Sequence, residues 1–256
     1  MAIQLTLPDP NFKRFVDGTD DASGTVGPGF ASVKLTNDQK ILVSRTNSQR
    51  LLARAVAGQK WNIDINYHPM TRAEFEPVFS FLLAKQGPLT PFFVSLPQYR
   101  TVQNAVFNTF VTSTDPWGLR VEGAVTAGKS TFLFQAVDYG GGFAPTPSQT
   151  ASSHNGPTPG DMLTFNDSND TTHTKAYLVT AVETRTNNQT ENVDSSIELD
   201  QWRLTVSPPL VKNVANHAEI IFKQPKIKVV MPQPIREYNL NTDNLYSFNL
   251  KLEEYL

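Results

Sequence analysis

Four histidines are the residues in this 256-residue chain best suited to metal or acid–base chemistry: His68, His154, His173 and His217. No two of them lie four residues apart, the spacing that places two imidazoles on one face of a helix for zinc. The segment 166-NDSNDTTH-173 brings two aspartates near a histidine and could hold a cation. It lacks the central glycine and the distal glutamate of a calcium loop. We therefore interpret it as a solvated turn and expect no metal site.

Patterns for nucleophilic, carboxylate and phosphate chemistry are also incomplete. The chain has no G-x-S-x-G sequence for an activated serine. Candidate carboxylate pairs for a glycosidase are sequence neighbours, which indicates capping or surface charges: Asp20 with Asp21, Glu74 with Glu76, and Glu253 with Glu254. The segment 126-TAGKS-130 resembles the end of a phosphate loop, but it lacks the first glycine and a following helix. We predict no catalytic, cofactor-binding or metal-binding residue and no enzymatic activity.

The composition of the chain excludes further kinds of site and further classes of function. Because the chain contains no cysteine, disulfides and cysteine-based metal sites are excluded. A net charge of -2 and a pI near 6.1 argue against tight nucleic-acid binding, which needs a basic stripe. No apolar run approaches the ~20 residues of a membrane span. The first ten residues, MAIQLTLPDP, do not form a signal peptide, so we expect a soluble protein made in a cytoplasm.

Several aromatic residues are candidates for contacts with a partner. Phe12 and Phe15 anchor a segment, 9–29, that is rich in Asp, Gly and Pro and is interpreted as an extended arm. Tyr139 and Phe143 lie in a Gly-rich loop, where core and contact roles are equally open. These four residues are predicted to contact a partner or another copy. Three further residues share this prediction: Tyr99, Tyr246 and Phe248. For Trp202, inside an alternating strand, a core position is favoured over a sugar-binding platform.

One helix is well marked between residues 71 and 86. Thr71 and Glu74 have the spacing of a capping box. Gly87-Pro88 ends the helix. Pro77 is expected to bend the helix near its start. Five residues form the predicted apolar stripe that covers a sheet: Phe75, Val78, Phe79, Leu82 and Leu83.

The rest of the chain indicates strands and turns. Residues 40–46 and 50–58 are predicted to pair through a turn at Thr46–Gln49. The run 61-WNIDINY-67 alternates apolar and polar residues, as does the terminal run 245–256, which needs a sheet to join. Tyr99 and Phe107 are predicted to continue an extended path, and residues 217–231 are predicted to form one strand. We predict a mainly β protein with a first domain of 1–115 plus 236–256 and an inserted β-barrel or β-sandwich domain of 116–235.

The run from Trp61 to Pro97, WNIDINYHPMTRAEFEPVFSFLLAKQGPLTPFFVSLP, resembles the strand–helix–strand unit of distal tail and tail-tube-like proteins of tailed bacteriophages. The run 160–230, with GDMLTF, AYLVTAV and LTVSPPL in order, is similar to small β domains of phage minor tail proteins. The resemblance covers about two-thirds of the chain. It implies a tail-tube-like β-barrel or sandwich with one packed helix and an inserted small β domain.

The resemblance also implies a function. The protein would be a distal tail or baseplate hub protein that forms a six-fold or three-fold ring, assembles in the host cytoplasm and resides in the virion tail. Its partners would be its own copies and the tail tube and baseplate proteins, with tail fibres or host surface glycans as further candidates. DNA would pass through the ring without specific binding, and no membrane is involved.

Two other functions stay open on the sequence. A carbohydrate- or receptor-binding module of a virion predicts a monomer or trimer with measurable glycan affinity. A hydrolase of cell-wall sugars predicts turnover that one Asp or Glu substitution abolishes. A hub predicts a ring.

Overall fold

The computed structural model describes residues 5–8, 13–14, 25–55, 58–112, 117–138, 156–184, 201–234 and 238–256. In chain order the elements are β1 Lys13–Arg14, β2 Thr25–Val26, β3 Phe30–Asp38, β4 Ile41–Arg45, β5 Leu51–Ala55, β6 Lys60–Tyr67, α1 Arg72–Lys85, β7 Phe92–Ser95, α2 Ala105–Thr112, β8 Trp117–Glu122, β9 Thr131–Asp138, β10 Met162–Asn166, β11 Ala176–Thr184, β12 Gln201–Ser207, β13 Glu219–Ile221, β14 Lys226–Val230, β15 Asn239–Leu240, β16 Tyr246–Ser247 and β17 Asn249–Glu254. Short 3-10 helices span Gly87–Leu89 and Pro97–Tyr99. The chain is mainly β, as predicted.

The chain divides into two compact units. Unit 1 comprises Met1–Ser95 and Ile227–Leu256, and unit 2 comprises Leu96–Lys226. The boundaries therefore lie earlier in the chain than the predicted 115/116 and 235/236. Each unit has its own sheet system and is described separately below.

Unit 1 is built on a five-stranded sheet with the order β3-β6-β17-β14-β7. The terminal strand β17 pairs antiparallel with β6, with Leu250 opposite Ile65 and Leu252 opposite Ile63. The prediction that the last residues join the first sheet is confirmed. The alternation in β6 also holds, because Trp61, Ile63, Ile65 and Tyr67 are buried and the residues between them are not.

Helix α1 covers the apolar face of this sheet. The Thr71 N–H and the Thr71 hydroxyl both donate to Glu74 Oε2 at 2.9 Å, so the predicted cap is present. These hydrogen bonds lower the pKa of the Glu74 carboxyl. Gln86 adopts the left-handed conformation that ends the helix, one residue before the predicted Gly87.

The phase of the apolar stripe differs from the prediction. Phe75, Val78 and Leu82 are buried as expected, but Leu83 is 49% exposed. Phe81 and Lys85 are buried in its place. The Lys85 side chain packs along the Phe81 ring, with Nζ 4.9 Å from the ring centroid. The helix carries neighbouring apolar residues at Val78–Phe79 and again at Phe81–Leu83, so the sequence permits more than one phase.

Unit 2 is a closed six-stranded barrel with the order β10-β11-β12-β9-β8-β13. Its core includes Trp202, which is fully buried and stacked on Phe134 at 4.9 Å between ring centroids. The core position predicted for Trp202 is confirmed. Phe107 also lies in this core, 5.5 Å from Phe222 and 5.9 Å from Trp202.

Two sequence predictions about unit 2 are wrong. Residues 105–112 form helix α2 rather than an extended path, because Asn104 Oδ1 accepts the N–H groups of Val106 and Phe107 and starts a helix. The single strand predicted over 217–231 is two strands, β13 in the barrel and β14 in the sheet of unit 1. The chain turns between them at Gln224, which has a φ of 54°.

Candidate functional site

The residues whose side chains could bind a metal or take part in catalysis have structural roles in the fold. Asp167 is buried, and its two carboxylate oxygens accept the backbone N–H groups of Asn169 at 2.8 Å and Ala215 at 2.9 Å. Asp170 Oδ1 accepts the N–H of Thr172 at 2.9 Å. Within the described ranges, no group of three or more His, Cys, Asp or Glu residues could hold a metal ion.

His173 belongs to a buried aromatic cluster rather than to a site. Its Nε2 lies 2.8 Å from the Tyr177 hydroxyl, and its ring is 5.3 Å from that of Phe165. Burial lowers the pKa of His173, and the negative charge of Asp170 opposes this shift only in part. Burial therefore favours the neutral form of this imidazole.

The paired carboxylates and the glycine–lysine segment also have structural positions. Glu74 caps α1, while Glu76 pairs with Arg72 at 2.5 Å. Glu253 pairs with Lys60 at 2.6 Å, and the buried Glu254 accepts the Trp61 N–H at 3.0 Å. The segment 126–130 lies in the connection between β8 and β9, and a strand rather than the helix of a phosphate loop follows it. Asp20 and Asp21 lie outside the described residues.

One element of unit 1 is not packed into its core. It is the hairpin β4–β5, here called the ribbon (Ile41–Ala55). Its strands pair antiparallel from Ile41 opposite Ala55 to Arg45 opposite Leu51. A turn closes it, in which Thr46 Oγ1 accepts the Arg50 N–H at 3.1 Å and Gln49 has a φ of 66°. The pairing predicted for these two runs is confirmed, and β5 ends at Ala55.

The ribbon extends the β3–β6 ladder. The paired strands β3 and β6 run as far as Asp38 opposite Lys60. Only Gln39 and Lys40 separate β3 from β4. The ribbon is a separate two-stranded sheet, and it pairs with no other described strand. It therefore projects from the end of a longer hairpin whose base is anchored in the sheet.

The ribbon has one predominantly apolar face. Residues paired across an antiparallel ladder point to the same side, and successive residues alternate. One face thus carries Ile41, Val43, Leu51 and Ala53, with Arg45 at its tip end. The other face carries Leu42, Ser44, Leu52 and Arg54. The five large apolar side chains are between 49% and 64% exposed: Ile41, Leu42, Val43, Leu51 and Leu52.

The ribbon is also cationic. Between Asp38 and Asp64 the sequence contains no Asp or Glu. Four cations lie on or beside the ribbon, and none forms an ion pair with a described residue: Lys40, Arg45, Arg50 and Arg54. Since the whole chain has a net charge of -2, the rest of it is net acidic.

Sequence reasoning missed these residues as contact residues. The available signal was the pair of unbroken apolar runs, 41-ILV-43 and 51-LL-52, in two strands joined by a short turn. In a strand with one solvent-exposed face, apolar and polar residues alternate. Consecutive apolar residues therefore indicate that both faces of the strand contact apolar groups.

The structure places the predicted contact residues as follows. Tyr246 is half-buried and stacks on Phe75 with 4.4 Å between centroids, and Phe248 is buried beside the same ring. Tyr99 is half-buried in unit 2, where burial raises its pKa. What the structure shows for these three is packing within their own unit, and a role in contacts with a partner stays a prediction. The other four lie outside the described residues: Phe12, Phe15, Tyr139 and Phe143.

Comparison with known proteins gave no matching family model and no matching curated protein. In the portion of the chain that the structure describes, no helix is both long and apolar enough to cross a membrane.

Proposed function

We propose that the chain is a structural subunit of a bacteriophage tail, a distal tail or baseplate hub protein. Copies of it would close into a six-fold or three-fold ring that links the tail tube to the baseplate or adsorption apparatus. The ring would assemble in the host cytoplasm and reside in the virion tail. The observation that carries this proposal is the ribbon, which exposes an apolar face on a projecting arm.

An apolar ribbon of this kind needs a partner. A two-stranded hairpin is marginally stable by itself in water, and it normally packs against something. Open, apolar β surfaces are also the surfaces on which chains associate. The ribbon carries both features at the end of an anchored hairpin, so it has the reach to pack on a neighbouring molecule.

A second copy of the chain is the partner that the charges favour. The ribbon is cationic, while the rest of each chain is net acidic. An arm that packs on a different surface of the next copy makes a head-to-tail contact, and such contacts form a ring when the rotation from copy to copy closes, or an open filament when it does not. The β-sheet fold, the helix on its apolar face and the projecting arm together support the resemblance to tail-tube-like proteins.

The strength of this contact sets the expected behaviour. Fully burying the three large side chains of the apolar face (Ile41, Val43 and Leu51), which are now about half exposed, contributes on the order of 3 kcal/mol. This is comparable to the entropic cost of association, which starts at about 4 kcal/mol. One ribbon alone therefore gives a weak contact, and a stable ring needs every contact closed at once or a template such as the tail tube.

The polar face of the sheet in unit 1 supports a passage surface. Lys34 is opposite Asp64, and Asp64 is opposite Lys251, so the charges alternate in sign across three strands. Beside this row, Asn66 lies opposite Asn249. A face with balanced charge neither holds nor repels a polyanion strongly. This agrees with DNA passing through the ring without specific binding.

The test of the proposal is association of the purified chain and of a ribbon variant. Val43→Asp places a charge on the apolar face without disturbing a buried residue, so each subunit should fold normally. We expect the unmodified chain to form rings at high concentration, seen by sedimentation and electron microscopy, and Val43→Asp to remain monomeric.

Ser44→Asp is the matched control, because Ser44 is the next residue along β4 and lies on the opposite face. It introduces the same charge and should leave ring formation largely unchanged. A chain that stays monomeric at all concentrations and with isolated tail tubes, or a Val43→Asp variant that assembles as well as the unmodified chain, would contradict the proposal.

A further inference from the structure

A small cleft in unit 1 lies at the edge of the polar sheet face described above and shares Asn66 and Asn249 with it. It arises where the C-terminal strand breaks at Phe248. Before the break, Tyr246 exchanges backbone hydrogen bonds with Met70 at 2.8 and 2.9 Å, and β16 pairs with β15. After the break, β17 starts at Asn249 and pairs with β6. The hairpin β15–β16 is thus a separate two-stranded sheet that adjoins the main sheet at this point.

The cleft has a volume of about 370 Å³ and is lined by seven residues: Asn66, Tyr67, Tyr238, Asn239, Ser247, Phe248 and Asn249. Its volume falls near the lower end of the range for small-molecule sites, about 300–1,000 Å³. Such a space suits a ligand of one or two sugar rings. Its lining comes from three places in the sequence, so the folded sheet brings the polar groups together.

Among the described residues, the lining contains no charged side chain. Without a cation it does not suit a phosphate or a carboxylate, and without a carboxylate it does not suit a metal ion or an amine. Three carboxamides and one aliphatic hydroxyl are present instead. A carboxamide offers two donors and an acceptor side by side, and a hydroxyl offers one donor and two acceptors.

Most of these groups are available to a ligand. Asn66 donates from Nδ2 to Ser32 Oγ at 2.8 Å, which leaves its carbonyl oxygen as an acceptor. The side chains of Asn239, Ser247 and Asn249 have no hydrogen-bond partner among the described residues. Each hydroxyl of a sugar both donates and accepts, so adjacent sugar hydroxyls match a row of carboxamides.

One aromatic ring at the cleft is held in place and yet exposed. Tyr238 packs on Phe75 at 5.2 Å and on Phe79 at 5.5 Å between centroids, but it is 47% exposed. Part of the Tyr238 ring is therefore held in place by its contacts with Phe75 and Phe79, while the rest of the ring is exposed to solvent. An exposed ring of this kind presents an apolar body beside polar groups, which suits the C–H-bearing face of a sugar.

We propose that this cleft binds a neutral carbohydrate, with the carboxamides of Asn239 and Asn249 hydrogen-bonded to the sugar hydroxyls and Tyr238 beside the sugar ring. The proposal is independent of ring formation. A chain that assembles but binds no sugar disproves only this inference, and a monomeric chain that binds sugar disproves only the proposed hub.

The experiment is a titration of the full chain, by ligand-observed NMR, with a panel of neutral sugars: methyl glucoside, methyl galactoside, N-acetylglucosamine, N-acetylgalactosamine, maltose and lactose. We expect at least one to bind with a Kd of about 10 mM or tighter. The variants Asn239→Ala and Asn249→Ala each remove an exposed carboxamide that makes no hydrogen bond with a described residue, so both should fold normally. Each should weaken binding by about fivefold or more, the effect of one lost hydrogen bond.

The control is Asn47→Ala, which removes an exposed carboxamide from the ribbon turn and should leave the affinity unchanged. Equal affinity for a single sugar and for the disaccharide containing it would identify a free sugar as the ligand, whereas tighter binding of the disaccharide would identify a glycan chain. Absence of binding by every sugar in the panel, or binding that survives both cleft variants, would overturn the proposal.

Discussion

Leu82 and Leu83 are neighbours in α1 with opposite environments. Leu82 is almost fully buried against the sheet, while Leu83 is half exposed. We predict that Leu82→Asp prevents unit 1 from folding, because it places an unpaired charge in an apolar interface at a cost of several kcal/mol. Leu83→Asp should change the free energy of unfolding by less than about 1 kcal/mol. Urea unfolding followed by circular dichroism measures both.

The pair Leu82 and Leu83 also tests the phase of the helix. Equal destabilisation by the two substitutions would mean that the stripe includes Leu83, as the sequence predicts. The stripe predicted from the sequence includes Phe79, so it makes Phe79→Asp as destabilising as Leu82→Asp. From the structure we expect Phe79→Asp to lower the free energy of unfolding by an intermediate amount. Phe79 is half-buried and stacks on Phe75, with 5.1 Å between centroids.

At His173 the lowered pKa makes the stability of unit 2 depend on pH. The unfolded chain binds a proton at the ordinary histidine pKa of about 6.5, whereas the folded unit takes it up only at lower pH. The contribution to stability is therefore complete above that ordinary value and is lost as the pH falls through the lowered folded pKa. The slope for one proton reaches at most about 1.4 kcal/mol per pH unit.

The measurement is the melting temperature of the chain and of His173→Phe between neutral and mildly acidic pH. Phenylalanine keeps an aromatic ring beside Phe165 but cannot bind a proton. We expect the unmodified chain to lose stability faster than the variant as the pH falls. Parallel curves would show that His173 does not carry this dependence.

Among the elements, the ribbon can be separated from the sheet that anchors it. We predict that replacing 39–59, which includes the whole ribbon, with Asn-Gly leaves unit 1 folded, because β3 and β6 keep their own pairing up to Asp38 and Lys60. Asn-Gly is a favoured turn for a two-residue hairpin connection. The shortened chain should melt within a few degrees of the unmodified one and should not form rings. Loss of folding would show that the ribbon stabilises unit 1 itself.

Local signals predicted some elements well. The capping box at Thr71 and Glu74 is a contact between residues three apart, so the sequence alone contains it. The turn between the strands of the ribbon is equally local. The phase of α1 depends on a sheet drawn from both ends of the chain, which no short pattern specifies. Helix α2 was missed because its start depends on one carboxamide, Asn104, in a run that otherwise favours strand.

The candidate surfaces were harder to predict than the elements. The apolar runs of the ribbon are visible in the sequence, but their exposure follows from the absence of a described strand beside them. The carbohydrate cleft joins Asn66 to Asn239 and Asn249 across the whole inserted unit. The polar residues of the lining come together only through the pairing of strands in the sheet. No single residue in the sequence therefore indicated the cleft.

For the whole molecule, the boundary between the units gives a direct prediction. A fragment of residues 96–226 should fold alone, because it contains the closed barrel and helix α2. A fragment of residues 116–226, which starts at the boundary predicted from the sequence, lacks Phe107 and leaves a cavity beside Trp202 and Phe222. Loss of a large buried aromatic residue costs about 3–5 kcal/mol. Thermal melts and NMR spectra of the two fragments compare them, and equal stability would contradict a role for α2 in the barrel core.

The central place of β17 in the sheet of unit 1 has a consequence for synthesis on the ribosome. Lys60 in β6 and its partner Glu253 in β17 are 193 residues apart in sequence. At translation rates of about 5–20 residues per second, β6 waits roughly 10–40 s for its neighbour. The barrel is continuous in sequence and can complete itself during that interval. Nascent unit 1 therefore spends the time with an open strand and an uncovered apolar surface, which makes it the part of the growing chain that a chaperone would hold.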